Sequence, residues 1–170
     1  IQEWIKHAEM PTDIDIVVGG PPCQGFSNLG KRDAEDKRNL LWRQYAEVLR
    51  RVQPRYFVVE NVPAFGKSQQ YEAFFAATLP GGFLQEYAFT HQVLNSADYG
   101  AAQARKRTVI IGHHRDLEAP GFPEVTHGPE ESGSLLPYRT VREALLDVPL
   151  KPDMDERFNE VRTLVGNREV

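Results

Sequence analysis

Apolar residues in this chain gather in four short segments, separated by stretches rich in glycine, proline and charge. The segments span residues 14–18, 56–59, 85–94 and 107–113. Short segments of this kind, rich in β-branched and aromatic residues and bounded by turn residues, predict β-strands.

Helical spacing of apolar positions predicts four helices, over residues 1–8, 40–52, 71–79 and 141–146. Asn39 is placed to cap the second helix, and Pro54 to end it. One apolar face of that helix would consist of Leu41, Tyr45, Val48 and Leu49.

The order of the elements predicts an α/β fold. A strand–helix–strand sequence in the first half favours a parallel pair joined by a right-handed crossover. A polar turn without a helix, residues 95–104, joins the last two strands, which should therefore pair antiparallel. Four strands are fewer than the about five or six common for a sheet. We therefore expect neighbours of the strand at 14–18 to lie outside this chain, and its bare edge to promote self-association.

Composition narrows the possible classes of protein. Hydrophobic residues make up 41% of the 170 residues and charged residues 26%, an ordinary globular balance. The net charge of −4 is not typical of a nucleic-acid-binding protein, although basic clusters occur at 31–32, 37–38 and 105–107. No apolar run approaches the roughly 20 residues that span a bilayer, so no membrane segment is expected. A single cysteine cannot form an internal disulfide, which favours an intracellular protein, and no spacing of His, Cys and Asp predicts a metal site.

The segment GGPPCQGFS at 19–27 contains that single cysteine, Cys23, directly after the first strand. The C-terminal edge of a parallel sheet is where ligands bind, so this thiol is a candidate nucleophile. Glu60 follows the second strand and should reach the same edge, where we expect it to be partly buried and able to hold a proton. His113 and His114 are more typical of structural histidines.

Three motifs occur in order, with matching linkers: GGPPCQGFS at 19–27, ENV at 60–62 and QARKR at 103–107. Together they resemble the cytosine-C5 DNA methyltransferases over residues 13–112. The resemblance implies the Rossmann-like fold of S-adenosylmethionine-dependent methyltransferases, here the second half of the sheet with an antiparallel final hairpin. Residues 1–117 would be a partial catalytic domain. Residues 118–170 would be an irregular connection and the start of the segment leading to a target-recognition region.

The resemblance also implies roles for individual residues. Cys23 would attack carbon 6 of a cytosine flipped out of double-stranded DNA, a carbon that is out of reach inside the base stack. Glu60 would hold the ring nitrogen and exocyclic amine of that base, and Arg107 its carbonyl oxygen. Arg105 would order the catalytic loop and the phosphates.

Further positions match the family in the same way. Pro22 and Leu41 would line the pocket for S-adenosyl-L-methionine, and the substrate would be contacted by Gln24, Ser27, Gln103 and Asn61. A bacterial cytoplasmic protein associated with the nucleoid, such as a restriction–modification enzyme, is the expected context. The DNA target cannot be inferred, because base reading belongs to the target-recognition region.

Two alternatives remain open on sequence grounds. One is a tRNA cytosine-C5 methyltransferase, although the GFS at 25–27 favours DNA over the Pro-Phe-Thr usual in that family. The other is an inert fragment that binds DNA or a partner protein. The Phe-x-Gly-x-Gly loop that cradles the methyl donor in the family is not found in this sequence. We therefore expect the fragment alone to be inactive and to bind the donor weakly or not at all.

Overall fold

A computed structural model describes residue 5, residues 9–22 and residues 41–146. The first predicted helix, apart from the buried Ile5, lies outside these residues, as does the Asn39 cap. The elements that position the site are β1 (Ile16–Gly19), α1 (Leu41–Val52), β2 (Tyr56–Asn61), α2 (Gln69–Ala77), β3 (Tyr87–Asn95) and β4 (Lys106–His114). Two-residue strands β5 (His127–Gly128) and β6 (Leu136–Pro137) and a short helix α3 (Val141–Leu146) follow.

The four longer strands form one mixed sheet in the order β1-β2-β4-β3. β1 runs parallel to β2, with Gly19 opposite Val59. β4 pairs antiparallel with both β2 and β3. The predicted parallel pair and the predicted antiparallel hairpin are therefore confirmed, and β1 lies at the edge of the described sheet, as predicted.

An aromatic core fills the face of the sheet that α1 and α2 cover. Phe57 lies at its centre, fully buried, and makes edge-on contacts with the rings of Tyr45, Phe74, Tyr87 and Phe89 at 5.6–6.5 Å. Glycine is required opposite, at Gly112, because a Cβ atom there would lie 2.1 Å from the Phe57 ring. Such edge-to-face pairs each add about 0.5–1.5 kcal/mol beyond area burial.

The apolar face predicted for α1 is only partly correct. The residues of α1 that pack into the core are Trp42, Ala46, Leu49 and Val52. Of the four residues on the predicted face, Leu49 is buried in the core and Tyr45 packs against it, whereas Leu41 and Val48 occupy the neighbouring stripe. Both stripes have helical spacing, and the position of the sheet decides which one is covered.

The opposite face of β1 is open in the described structure. Ile16 is 51% exposed and Val18 is 68% exposed, although a purely sequence-based interpretation makes this strand buried. Strands of parallel sheets are normally covered on both faces, so these two exposed side chains mark the incompletely covered part of β1.

The segment after β4 is more ordered than predicted. β5 and β6 pair in parallel, and the Tyr138 hydroxyl donates a hydrogen bond to the Asp98 carboxylate at 2.9 Å. The backbone N–H of Thr126 donates to the Asp98 carbonyl at 3.0 Å. This segment therefore packs on the turn between β3 and β4. In the described part of the chain, no helix is both long and apolar enough to cross a membrane.

Candidate active site

The C-terminal ends of β1 and β2 lie side by side, and one buried side chain ties them together. Asn61, 5% exposed, donates from Nδ2 to the carbonyl oxygen of Pro21 at 2.9 Å. Its Oδ1 accepts a hydrogen bond from the backbone N–H of Val62 at 2.8 Å. The amide therefore fixes the Pro21–Pro22 segment, which leads directly to Cys23, against the end of β2.

Glu60 and Arg107 form an ion pair at the same edge. Nε of Arg107 lies 2.7 Å from Oε1 of Glu60, and the two side chains are 24% and 48% exposed respectively. The prediction that Glu60 is partly buried is therefore wrong. Side chains alternate along β2, so Phe57, Val59 and Asn61 point into the core whereas Glu60 points to the uncovered face.

The remaining basic motif lies in the turn that enters β4. The side chains of Gln103 and Arg105 are exposed there. The carbonyl oxygen of Gln103 accepts a hydrogen bond from the Ser96 hydroxyl at 2.5 Å, and that of Arg105 accepts one from the Ser96 backbone N–H at 3.0 Å. The backbone of the turn is thus held by protein contacts, and both long side chains face outward. An exposed amide and an exposed guanidinium suit contacts to a polyanion.

Pro22 and Leu41, predicted to share a pocket, line one cavity of about 350 Å³ beside the end of β1. Its walls are largely apolar, with Val17, Val18 and Val48 contributing alongside them. The structure brings Pro22 and Leu41 together although 18 residues between them, 23–40, lie outside the described part of the chain. A cleft of this size and character is typical of small-molecule sites.

Tyr45, which forms part of this cavity, was not predicted as a site residue. Its hydroxyl lies 3.0 Å from the carbonyl oxygens of both Val17 and Val58, so it bridges β1 and β2. Burial raises the pKa of this hydroxyl well above its ordinary value, so it keeps its proton. Gly19 is needed beside the ring, because a Cβ atom there would lie 2.5 Å from it. The spacing 41, 44, 45, 48 on α1 is the sequence signal that could have revealed this face.

Three predicted site residues, Cys23, Gln24 and Ser27, lie outside the described residues. Their roles stay predictions. Within residues 9–22 and 41–146, no group of three or more His, Cys, Asp and Glu side chains could hold a metal ion.

The Asn61 tether can be tested by Asn61→Asp in the full-length protein. The change keeps the shape of the side chain but removes the N–H that donates to Pro21. Because a buried acceptor loses its partner, we expect the free energy of unfolding, measured in urea, to fall by about 1–3 kcal/mol. The matched control is Gln103→Glu, the same chemical change on an exposed side chain, with an expected effect within about 0.5 kcal/mol. Equal stability of the two variants would refute the tether.

Comparison with known proteins identifies relatives of this chain. The family model for C-5 cytosine-specific DNA methylase matches residues 2–167. The chain is 40% identical over 140 residues to the Type II methyltransferase M.XorII of Xanthomonas oryzae pv. oryzae, covering 81% of this chain and 30% of that protein. It is 39% identical over 155 residues to the Type II methyltransferase M.AquIA of Picosynechococcus, covering 82% of this chain and 62% of that protein.

A third relative, the Type II methyltransferase M.BspRI of Lysinibacillus sphaericus, is 38% identical over 148 residues, covering 86% of this chain and 34% of that protein. The chain thus spans between about a third and two thirds of the length of these relatives.

Among solved structures, an E. coli prophage protein described as a DNA modification methyltransferase superposes with a TM-score of 0.54 at 25% identity. The match covers 87% of this chain and 38% of that one. The predicted α/β methyltransferase fold is therefore confirmed. On the extent of the family match, this chain belongs to the C-5 cytosine-specific DNA methylases.

Proposed function

We propose that the protein transfers a methyl group from S-adenosyl-L-methionine to carbon 5 of cytosine in double-stranded DNA. The observation that carries the proposal is the Asn61–Pro21 hydrogen bond. In a chain of this family, it fastens the segment leading to Cys23 beside the Glu60–Arg107 pair. A nucleophile and two groups able to hold a base would then share one sheet edge.

The cavity beside β1 fits the apolar part of the methyl donor. Pro22 and Leu41 provide flat apolar contacts of the kind that hold a purine ring, at the carboxyl end of a parallel strand. Bound there, S-adenosyl-L-methionine supplies the methyl group. The protein's contribution at this point is to exclude water from the ring and to place the donor next to the Cys23 segment.

Cys23 would carry out the covalent chemistry on the base. Its thiolate would form a bond from Sγ to carbon 6 of the flipped cytosine, which makes carbon 5 nucleophilic. Carbon 5 would take the methyl group, and the donor would leave as S-adenosyl-L-homocysteine. Water would then accept the proton on carbon 5, the C5–C6 double bond would re-form and the Sγ–C6 bond would break. The thiolate is regenerated, so one difficult substitution becomes two easier steps.

Glu60 and Arg107 would hold the base during these steps. Their polar atoms are 2.7 Å apart, and both side chains are accessible at the open face of the sheet. One base edge could therefore meet both groups: the Glu60 carboxyl would accept from the exocyclic amine and, when protonated, donate to the ring nitrogen, while Arg107 would donate to the carbonyl oxygen. A charge-assisted hydrogen bond of this kind is roughly twice as strong as a neutral one.

The other site residues would bind DNA or shape the site. Gln103 and Arg105 stand exposed on the turn before β4, where they could reach the backbone or bases of DNA. Gln24 and Ser27 would contact DNA, as the sequence predicts. Asn61 was predicted to touch the substrate, but its burial and its bond to Pro21 favour a positioning role instead.

Neither sequence-based alternative gains support from the comparisons. The relatives named above are Type II methyltransferases, which favours DNA over tRNA. The intact Glu60–Arg107 pair argues against a degenerate homologue that only binds DNA. We further propose that the enzyme works in a bacterial restriction–modification system, on nucleoid DNA in the cytoplasm.

The covalent step can be tested with the full-length protein, S-adenosyl-L-methionine and a pool of random-sequence duplexes containing 5-fluorocytosine. Fluorine cannot leave as the proton does, so the protein should remain bonded to DNA and migrate as a denaturant-resistant complex. Cys23→Ser should abolish the complex, and Glu60→Gln should slow its formation. A complex that persists in Cys23→Ser would contradict the assigned nucleophile, and reaction with tRNA in place of the duplexes would support the alternative substrate.

The predicted self-association also remains a proposal, supported by the exposed Ile16 and Val18 on an edge strand. We expect light scattering of the 170-residue chain to show a species larger than a monomer. Ile16→Lys, which places a charge on the edge, should shift the chain toward monomer. Leu136→Lys, at an apolar position on β6 that is also more than half exposed, serves as the control. A monomeric unmodified chain at high concentration would overturn the proposal.

A further inference from the structure

A short 3₁₀ helix, Ser96–Tyr99, lies at the start of the turn between β3 and β4 and supports the rest of that turn. The hydroxyl and the backbone N–H of Ser96 donate to the carbonyl oxygens of Gln103 and Arg105. Gln103 and Arg105 carry the exposed side chains that are proposed to contact DNA. The position of the 3₁₀ helix therefore determines where both side chains start.

The other end of the 3₁₀ helix is bonded to the small sheet of β5 and β6. The carbonyl oxygen of Asp98 accepts from the N–H of Thr126, just before β5, at 3.0 Å. Oδ1 of Asp98 accepts from the hydroxyl of Tyr138, just after β6, at 2.9 Å. The same Oδ1 accepts from Nδ2 of Asn95, the last residue of β3, at 3.1 Å. One residue thus joins the end of β3 to both flanks of the small sheet.

Two further contacts strengthen this junction. The Tyr99 hydroxyl donates to the carbonyl oxygen of Pro123 at 3.3 Å. Gly100 ends the 3₁₀ helix with a φ of 88°, in the left-handed region, and a Cβ atom there would lie 2.7 Å from the His127 ring. Three consecutive residues, 98–100, are therefore all held by the segment 123–138.

We propose that Asp98 and Tyr138 are positioning residues that brace the 3₁₀ helix. The brace would keep Gln103 and Arg105 in one arrangement toward DNA, without itself touching DNA. A turn whose backbone is already held loses less conformational freedom when its side chains bind, so the affinity is higher. The inference rests on the proposed function, because it takes Gln103 and Arg105 to contact DNA.

Removing the Tyr138 hydroxyl tests the brace without changing any charge. The affinity of the full-length protein for a random-sequence DNA duplex would be measured by fluorescence anisotropy. Tyr138→Phe should weaken binding about fivefold, the loss typical of one hydrogen bond. The matched control is Tyr71→Phe, which removes a hydroxyl that lies 2.7 Å from Nδ1 of His91, away from the brace. Its affinity for DNA should stay within about twofold of the unmodified protein.

A double-mutant cycle separates positioning from a general weakening of the protein. In a background that carries Gln103→Ala and Arg105→Ala, Tyr138→Phe should change the affinity by less than about twofold, because the brace then has no DNA contact to position. Salt dependence gives a second readout. Although Tyr138→Phe removes no charge, it should make the slope of log K against log salt shallower by up to about 1, because the contact of Arg105 with a phosphate is weakened.

Asp98 provides the converse test. Asp98→Asn and Asp98→Ala remove the same charge, but Asn keeps an oxygen that can accept both hydrogen bonds. Asp98→Ala should therefore bind DNA about fivefold more weakly than Asp98→Asn. Equal affinity of these two variants would overturn the brace.

The remaining outcomes distinguish the brace from the function on which it rests. An equal effect of Tyr138→Phe with and without the Gln103 and Arg105 side chains, or an unchanged salt slope, would overturn the positioning role while methyl transfer to DNA persists. An unmodified full-length protein that neither binds DNA nor methylates it would overturn the proposed function itself.

Discussion

The hydrogen bond from the Asn61 amide to the Pro21 carbonyl is the contact on which the rest of the site depends. Proline has no N–H, so the Pro21–Pro22 segment cannot extend the ladder of β1 by donating its own hydrogen bonds. A side chain of the neighbouring strand holds it instead, at a buried position where a missing partner is costly. The approach to Cys23 is thereby set by the packing of β2 rather than by the local preferences of the loop.

Because side chains alternate along the strands, one face of the sheet contributes to the core and the other to the site. On β2, Phe57, Val59 and Asn61 face the helices, whereas Val58 and Glu60 face the open side. On β4, the register places Thr108 opposite Asn61. Arg107, the residue before Thr108, has its Nε 2.7 Å from Oε1 of Glu60. One strand thus supplies both the tether for the Cys23 segment and a group able to hold the base. Helix α1 is divided in the same way, with one stripe in the core and the next along the cavity.

Local pattern was enough to predict the strands, their pairing directions and the meeting of the C-terminal ends of β1 and β2 at one edge, because these follow from strand length, turn residues and crossover geometry. Local pattern was not enough to predict which side chains are buried. Glu60 follows four apolar residues in the sequence, yet the helices cover only the other face of β2. The core side of α1 was predicted only in part for a related reason, since its two neighbouring stripes are both mostly apolar. Tyr45 escaped attention because its role depends on how α1 packs against β1 and β2, which local pattern does not specify.

The central claim is that the adjoining ends of β1 and β2 bring Cys23 to a cytosine held by Glu60 and Arg107. A crystal structure of the full-length protein bonded to a 5-fluorocytosine duplex tests it most directly. We expect a bond between Cys23 Sγ and carbon 6 of an extrahelical base, with Glu60 on the nitrogen edge, Arg107 on the carbonyl oxygen, and the Asn61–Pro21 hydrogen bond intact. A base bonded to another residue, or bound away from Glu60 and Arg107, would contradict it.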